Sequence, residues 1–183
     1  PAGRPQGGPR PQVAMPAPPT SAISPSHDPV RQSAYYGFPT AGSTTPITVV
    51  NSTDYGATWK VVNAGTMKGD PWGAAIDPDP NRDPAKPPTM YTPCGYGSWG
   101  LWKSTDGGVT WAQTISNQAT SALAAISVYW PPDLYSVSIL PDNPPNHLLV
   151  TFHDGGWKNS TDQGFGESTD GGLTWFVHPP PAG

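Results

Sequence analysis

The sequence predicts an all-β protein built from a repeated antiparallel unit, and three observations support this fold class. The phrase Ser-Thr-Asp-x-Gly-x-Thr-Trp occurs three times, at residues 52–59, 104–111 and 168–175. The chain of 183 residues contains 26 prolines and 21 glycines, and both residue types interrupt helices. Its acidic residues are aspartates, which favour turns, apart from the lone glutamate Glu167. Together these features indicate short strands joined by turns.

Each copy of the phrase predicts a tight turn between two strands. Glycine tolerates the positive φ that such a turn demands, and the aspartate and serine oxygens can accept hydrogen bonds from the turn amides. The Thr and Trp that follow are strand formers. The first copy differs because Tyr55 occupies the place of the first glycine in the other two copies. We call the three segments 52–59, 104–111 and 168–175 the box turns.

The recurrence of one phrase predicts a copied supersecondary unit, as in arrays and propellers. A four-stranded unit can be read around the second and third copies, and only part of one around the first. The predicted strands are 72–76, 89–92, 100–103 and 110–114 in the second unit; 135–140, 148–152, 166–168 and 174–177 in the third; and 47–50 and 58–62, with 35–38 as a candidate inner strand, in the first. The segment 119–128 is the one weak helix candidate.

The box turns resemble the Asp-box, or BNR, repeat, and the resemblance extends over roughly residues 47–178. Such repeats occur in sialidases, xyloglucan-cleaving hydrolases, sortilin-type receptors and photosystem assembly factors. The resemblance implies about two and a half blades of a larger β-propeller, since a closed ring has roughly four to eight. It also implies that the box lies on the rim, away from the ligand face, and is structural. The residues it assigns to this role are Ser52, Asp54, Gly56, Trp59, Ser104, Asp106, Gly108, Trp111, Ser168, Asp170, Gly172 and Trp175.

The expected organisation has five segments. Residues 1–33, rich in Pro and Gly, are predicted to form an extended linker or tail because they offer little apolar surface to bury. Residues 34–69 form a partial blade with the first box turn, 70–131 a second blade and 132–178 a third, and 179–183 form a Pro-rich tail. We expect the chain to be a piece of a longer protein or to complete its ring with another chain.

Four residues are candidates for ligand binding: Asp70, Trp72, Trp99 and Trp130. In propellers, the residues that precede an inner strand often face the ligand, which is the position of Asp70. Trp99 and Trp130 lie in segments flanked by Gly or Pro, and indole rings can stack on sugars. The alternative is that these aromatic side chains fill the space between blades.

Catalysis by the chain alone is not predicted. A sialidase needs three arginines for its substrate carboxylate, but the repeat region contains Arg82 alone. A xyloglucanase-like hydrolase needs two carboxylates that flank the glycosidic bond. The candidates for that pair are Asp70, Asp133, Asp154 and Glu167.

No metal site or cofactor is predicted. The segment 77–83 places oxygen side chains at alternate positions, as a calcium loop does, but Arg82 occupies the position of the loop glycine. His147, His153 and His178 lack the spacing of a metal motif. The single cysteine, Cys94, excludes an internal disulfide.

Charge and hydropathy limit the classes of partner. The net charge is −4, the pI is about 5.3, and nine Lys and Arg are spread along the chain, so no nucleic-acid partner is predicted. No apolar run has the length of a transmembrane helix.

The sequence therefore predicts a non-catalytic module that is secreted or exposed at the cell surface or in the periplasm. It would bind or scaffold another protein, the remainder of the propeller or a glycan. Two alternatives remain open: a fragment of a xyloglucanase- or sialidase-like glycoside hydrolase, and an assembly subunit packed into a larger complex.

Overall fold

The computed structural model describes residues 26–28, 33–38, 46–54, 57–68, 70–95, 100–115, 122–126, 132–152 and 164–178. Within these ranges the chain forms three antiparallel sheets and one short helix. In the same ranges, no helix is long and apolar enough to span a lipid bilayer.

The first sheet contains four strands in chain order. They are β1 (Ser26–Asp28), β2 (Ser33–Phe38), β3 (Pro46–Ser52) and β4 (Lys60–Lys68). This sheet differs from the expected partial blade, because β1 lies in the segment predicted as a linker and adds a fourth strand. The sequence of β1, Ser-His-Asp, has no apolar alternation, and its strand conformation depends on backbone pairing with β2.

The second sheet contains β5 (Asp70–Pro71), β6 (Ala75–Ile76), β7 (Met90–Gly95), β8 (Gly100–Ser104) and β9 (Ala112–Gln113). β5 and β6 both pair with β7. Of the inner strand predicted at 72–76, the last two residues alone form a strand, and β5 lies before the predicted start. Pro71 has no amide hydrogen to donate, and the Trp72 amide continues the contact by donating to the Pro93 carbonyl at 3.1 Å.

The third sheet contains β10 (Leu134–Ile139), β11 (Leu148–Phe152), β12 (Phe165–Ser168) and β13 (Phe176–His178). The predicted bounds of its first three strands agree within one residue, and β13 begins two residues later than predicted. The helix α1 (Leu123–Ile126) lies in the predicted helix candidate. Leu123 is fully buried against this sheet.

Alternation along the strands decides which side chains form the core. In β11, Leu148 and Val150 are fully buried whereas Thr151 between Val150 and Phe152 is exposed. Burying each such aliphatic side chain contributes about 1.5–3 kcal/mol. Two clusters result: one joins Tyr91 and Leu101 of the second sheet to the third, and the other joins Val49 of the first sheet to the second.

The first two sheets present the same register position to the next sheet along the chain, and the third sheet leaves that position exposed. Val49, Leu101 and Phe165 each lie three residues before the serine of their box turn. Their exposed fractions are 3%, 0% and 37%. Val49 and Leu101 are covered by the following sheet, whereas Phe165 lies on the outer face of the third sheet. The sheets therefore stack consecutively in one direction.

Candidate functional site

The aspartate of the second box turn is bound by donors of its own turn. Ser104 Oγ donates to Asp106 Oδ1 at 2.8 Å, and the amide and hydroxyl of Thr110 donate at 2.9 and 2.5 Å. Ser104 Oγ in turn accepts the Gly108 amide at 2.8 Å. Both carboxylate oxygens of Asp106 are thereby engaged in closing the turn.

The other two box turns repeat these contacts. Asp170 accepts hydrogen bonds from Ser168 Oγ at 2.8 Å and from the amide and hydroxyl of Thr174 at 2.9 and 2.5 Å. Asp54 accepts the amide and hydroxyl of Thr58 at 2.8 and 2.6 Å. The first turn thus keeps the aspartate contacts despite its different sequence, although Tyr55 and Gly56 themselves lie outside the described residues.

The second glycine of the box turn also contacts the preceding sheet. Gly108 and Gly172 have φ of 90° and 92°, a region that favours glycine. A Cβ at Gly108 would lie 3.2 Å from Val49 Cγ1 of the first sheet. A Cβ at Gly172 would lie 3.0 Å from Thr114 Oγ1, just beyond the second sheet's last strand. The box turn is therefore part of the interface between consecutive sheets.

The box tryptophans are anchored to the same glycines. Trp111 Nε1 donates to the Gly108 carbonyl at 3.0 Å, and Trp175 Nε1 donates to the Gly172 carbonyl at 3.1 Å. Both indoles are buried. The second and third turns are thus each closed by one aspartate and one tryptophan. Trp59 of the first turn is half-buried.

Hydrogen bonding lowers the pKa of all three box aspartates. The Thr58 hydroxyl and amide, followed by Ser52, lower the pKa of Asp54 to about 2. Burial by itself raises the pKa of Asp106 and Asp170, but the hydrogen bonds from the turn outweigh it and the net shift is downward.

These pKa directions predict a loss of stability in acid. A carboxyl whose folded pKa lies below its unfolded value of 3.8 stabilises the fold above that value and loses this contribution as pH falls through the folded pKa. We therefore expect acid unfolding, followed by tryptophan fluorescence, to develop between about pH 4 and about pH 2. Asp106→Asn removes one titrating group and should flatten this pH dependence, and an unchanged slope in the variant would contradict the assignment.

An aromatic pair lies at the opposite end of the sheets from the box turns. The rings of Trp72 and Tyr135 have centroids 5.7 Å apart and planes inclined by 39°. Trp72 is half-buried and Tyr135 is 50% exposed. The pair lies beside the C-terminal end of β7, whereas the second box turn contacts the N-terminal end of the same strand. The six residues of β7 span about 20 Å between these two ends.

The two aromatic residues occupy equivalent register positions. Pro71 pairs with Cys94, which lies four residues after the partner of the box serine Ser104. In the same way, Leu134 pairs with Phe152, which lies four residues after the partner of the box serine Ser168. The sequences around them read Asp70-Pro-Trp72 and Asp133-Leu-Tyr135. The repeat therefore places an Asp-x-aromatic segment on the inner strands of two neighbouring sheets.

Of the four predicted ligand residues, some lie wholly or partly outside the described residues. Trp72 is the one whose side chain is described; the side chain of Asp70 and the whole of Trp99 and Trp130 lie outside the described residues, as does Asp154. Tyr135 was not among the predicted ligand residues; the sequence assigned it to the start of the strand 135–140. A register shift between Leu134 and Ser136 is located at Tyr135, and half of its side chain is exposed.

The candidate carboxylate Glu167 lies in a different place, on the outer face of the third sheet. Its two oxygens contact His147 Nε2 at 2.6 Å and His178 Nε2 at 2.5 Å. These contacts, that of His147 first, lower the pKa of Glu167. Asp142, followed by Glu167, raises the pKa of His147. Glu167 is therefore an ion-pair partner here and is remote from the aromatic pair.

The segment 77–83 forms a series of local turns. Asp77 Oδ1 accepts the Asp79 amide at 3.0 Å, Asp79 Oδ1 accepts the Asn81 amide at 2.8 Å, and Asp83 Oδ1 accepts the Ala85 amide at 2.9 Å. These bonds direct the carboxylates at the backbone. Across the described ranges, no group of three His, Cys, Asp or Glu side chains is arranged to hold a metal ion.

Three solved structures share the arrangement of these sheets. YCF48 from Cyanidioschyzon merolae superposes with a TM-score of 0.54 at 13% identity, over 85% of this chain and 36% of that one. The Niastella koreensis GH74 enzyme gives a TM-score of 0.54 at 20% identity, over 85% and 22%. YCF48 bound to D1 peptide gives 0.51 at 12% identity, over 86% and 40%. The three sheets are β-propeller blades.

Sequence comparison gives a related result. The chain is 34% identical over 155 residues to the xyloglucanase Xgh74A of Acetivibrio thermocellus, an alignment that covers 72% of this chain. The chain spans 16% of the length of that relative. No protein-family model matches the chain. The chain is thus homologous to one part of a much longer glycoside hydrolase.

Proposed function

We propose that this chain is a non-catalytic set of Asp-box propeller blades, from a secreted protein, that binds a xyloglucan-type polysaccharide. The observation that carries the proposal is the partly exposed Trp72–Tyr135 pair at the end of the blades opposite the box turns. The similarity of the chain to the xyloglucanase Xgh74A supports this choice of ligand.

In this proposal the box turns are structural. Both carboxylate oxygens of each box aspartate accept hydrogen bonds from their own turn, which leaves them poorly placed to act on a substrate. The role extends to all twelve box residues named above, including Gly56, which lies outside the described part of the chain.

The aromatic pair suits a sugar chain for a physical reason. One face of a glucose ring carries C–H groups and packs against an aromatic ring, while its hydroxyls remain in contact with water or polar side chains. Trp72 and Tyr135 repeat this surface on neighbouring blades, so two successive sugar units could be contacted together. Trp99 and Trp130 are proposed to extend the same platform, because the sequence places them next to β8 and before β10 at this end.

We expect Tyr135→Ala to weaken binding of soluble xyloglucan about tenfold, because loss of one aromatic contact costs up to about 1.5 kcal/mol. Isothermal titration of the protein with xyloglucan, and with dextran as a glycan control, measures this change. Tyr135→Phe should retain affinity. Leu173→Ala, at a 76% exposed position in a box turn, should bind as the wild type does. Undetectable xyloglucan binding, or an unchanged affinity in Tyr135→Ala, would overturn the proposal.

A second candidate function is contribution of a carboxylate to a hydrolase site, and one observation favours it. Asp70 and Asp133 precede the aromatic residues at equivalent positions of adjacent blades, and a glycosidase places two carboxylates across the scissile bond. Under this alternative the protein releases reducing sugar from xyloglucan, and Asp133→Asn abolishes release while binding persists. Binding without release supports the non-catalytic function.

A further inference from the structure

A groove of about 440 Å³ lies at the rim between the second and third blades. The last strand of the second blade and its box turn form one wall, and the box turn of the third blade forms the other. The polar residues that matter for its chemistry are Lys103, Thr105, Thr110, Gln113, Thr114 and Asp170. The groove is separate from the aromatic pair, which lies at the opposite end of β7.

Lys103 is the cation of this groove. Its ammonium lies 5.3 Å from the centroid of the Tyr91 ring, and its side chain is half-buried. Nζ would lie 3.1 Å from a Cβ at Gly171, so the opposing box turn approaches it closely. Within the part of the chain that the structure describes, no carboxylate forms an ion pair with Nζ. Burial lowers the pKa of Lys103, as expected for a cation that has lost water.

Glu167 occupies the position of the third blade that corresponds to Lys103, and its charge is compensated by neighbouring side chains. Lys103 and Glu167 each immediately precede a box serine. Glu167 receives hydrogen bonds from His147 at 2.6 Å and from His178 at 2.5 Å. A partly desolvated charge is costly unless it is matched, and Glu167 is matched by side chains of its own blade. Lys103 has no such match among the described residues.

Among the residues that the structure describes, Asp170 is the carboxylate that lines the groove, and it is engaged by its own turn. Asp170 accepts hydrogen bonds from Ser168 Oγ, the Leu173 amide, and the amide and hydroxyl of Thr174. These four donors disperse its negative charge, which reduces its repulsion of an approaching anion.

We propose that the groove binds an anionic group, with Lys103 as its charge partner. The shared chemistry is that of a carboxylate, sulfate or phosphate group, and two sources can supply it: an acidic sugar of a polysaccharide, or a free inorganic anion. The Tyr91 ring lies 5.3 Å from the ammonium of Lys103, and this cation–π contact holds the ammonium at the groove.

The test titrates the protein with potassium sulfate, with oligogalacturonate and with neutral oligogalactose at constant ionic strength. We expect the anionic probes to bind saturably and the neutral probe not to bind. Lys103→Met keeps the aliphatic stem and removes the charge, and it should weaken anion binding at least about tenfold. Lys103→Arg keeps the charge and should retain binding.

The outcomes separate the two sources. Lys103-dependent binding of both anionic probes supports the acidic sugar, and binding of sulfate alone supports the inorganic anion. If neither anionic probe binds, or if Lys103→Met binds as tightly as the wild type, the proposal is overturned. A second readout uses wild-type protein: the NMR signals of the Lys103 side chain should shift on addition of sulfate, and an unchanged spectrum would also overturn it.

Discussion

Gly172→Ala is expected to destabilise the protein by about 2–4 kcal/mol, because the added methyl group meets both backbone strain and a close contact. Gly172 has a φ of 92°, where an L-residue is strained. The added Cβ would also lie 3.0 Å from Thr114 Oγ1 and 3.3 Å from Thr114 Cβ in the preceding blade. Chemical unfolding monitored by tryptophan fluorescence measures the loss.

Gly73→Ala is the matched control for this substitution. A Cβ at Gly73 meets no atom within 4 Å, and no positive φ is found there. Its free energy of unfolding should stay within about 0.5 kcal/mol of the wild-type value. Equal losses in the two variants would show that the blade contact at Gly172 has no special cost.

Asp170→Ala should cost about 2–3 kcal/mol of unfolding free energy. The substitution removes the acceptor of four hydrogen bonds from Ser168, Leu173 and Thr174, and a hydrogen bond to a charged group contributes about 1.5–3 kcal/mol. Because Asp170 is half-exposed, water replaces part of this loss, and the expected total is well below the sum.

Thr169→Ala provides a control within the same turn, since Thr169 is exposed and its change should lie within about 0.5 kcal/mol. Asp170→Asn should fall between the two, because the amide keeps the shape but not the charge. A loss for Asp170→Ala no larger than that for Thr169→Ala would show that the carboxylate does not hold the turn.

The parts of the fold that depend on local sequence were predictable. The bounds of β11 (Leu148–Phe152) agree with the prediction, because its apolar residues alternate and turn residues flank it. The box turns were predicted from Asp, Gly and Thr at fixed spacing. The hydrogen bonds from the Thr amide to the Asp carboxylate that close these turns join residues four positions apart. The division of the inner strand into β5 and β6 was not predicted.

The features that depend on contacts between distant residues were not predictable. Tyr91 and Gly171 are 80 residues apart, and the Tyr91 hydroxyl donates to the Gly171 carbonyl at 3.4 Å across two blades. Pairing of Trp72 with Tyr135 likewise follows from the stacking of blades. The sequence could indicate that blades exist, but their register, and hence which side chains meet, is a property of the assembled sheets.

A double-mutant cycle between Gly172 and Thr114 tests the central claim, that box turns are structural elements joining consecutive blades. The free energy of unfolding is measured for Gly172→Ala, for Thr114→Ala and for the double variant. We predict that Gly172→Ala costs at least about 0.5 kcal/mol less when Thr114 Oγ1 is absent, since the steric conflict is then partly relieved. Strict additivity of the two substitutions would contradict the claim.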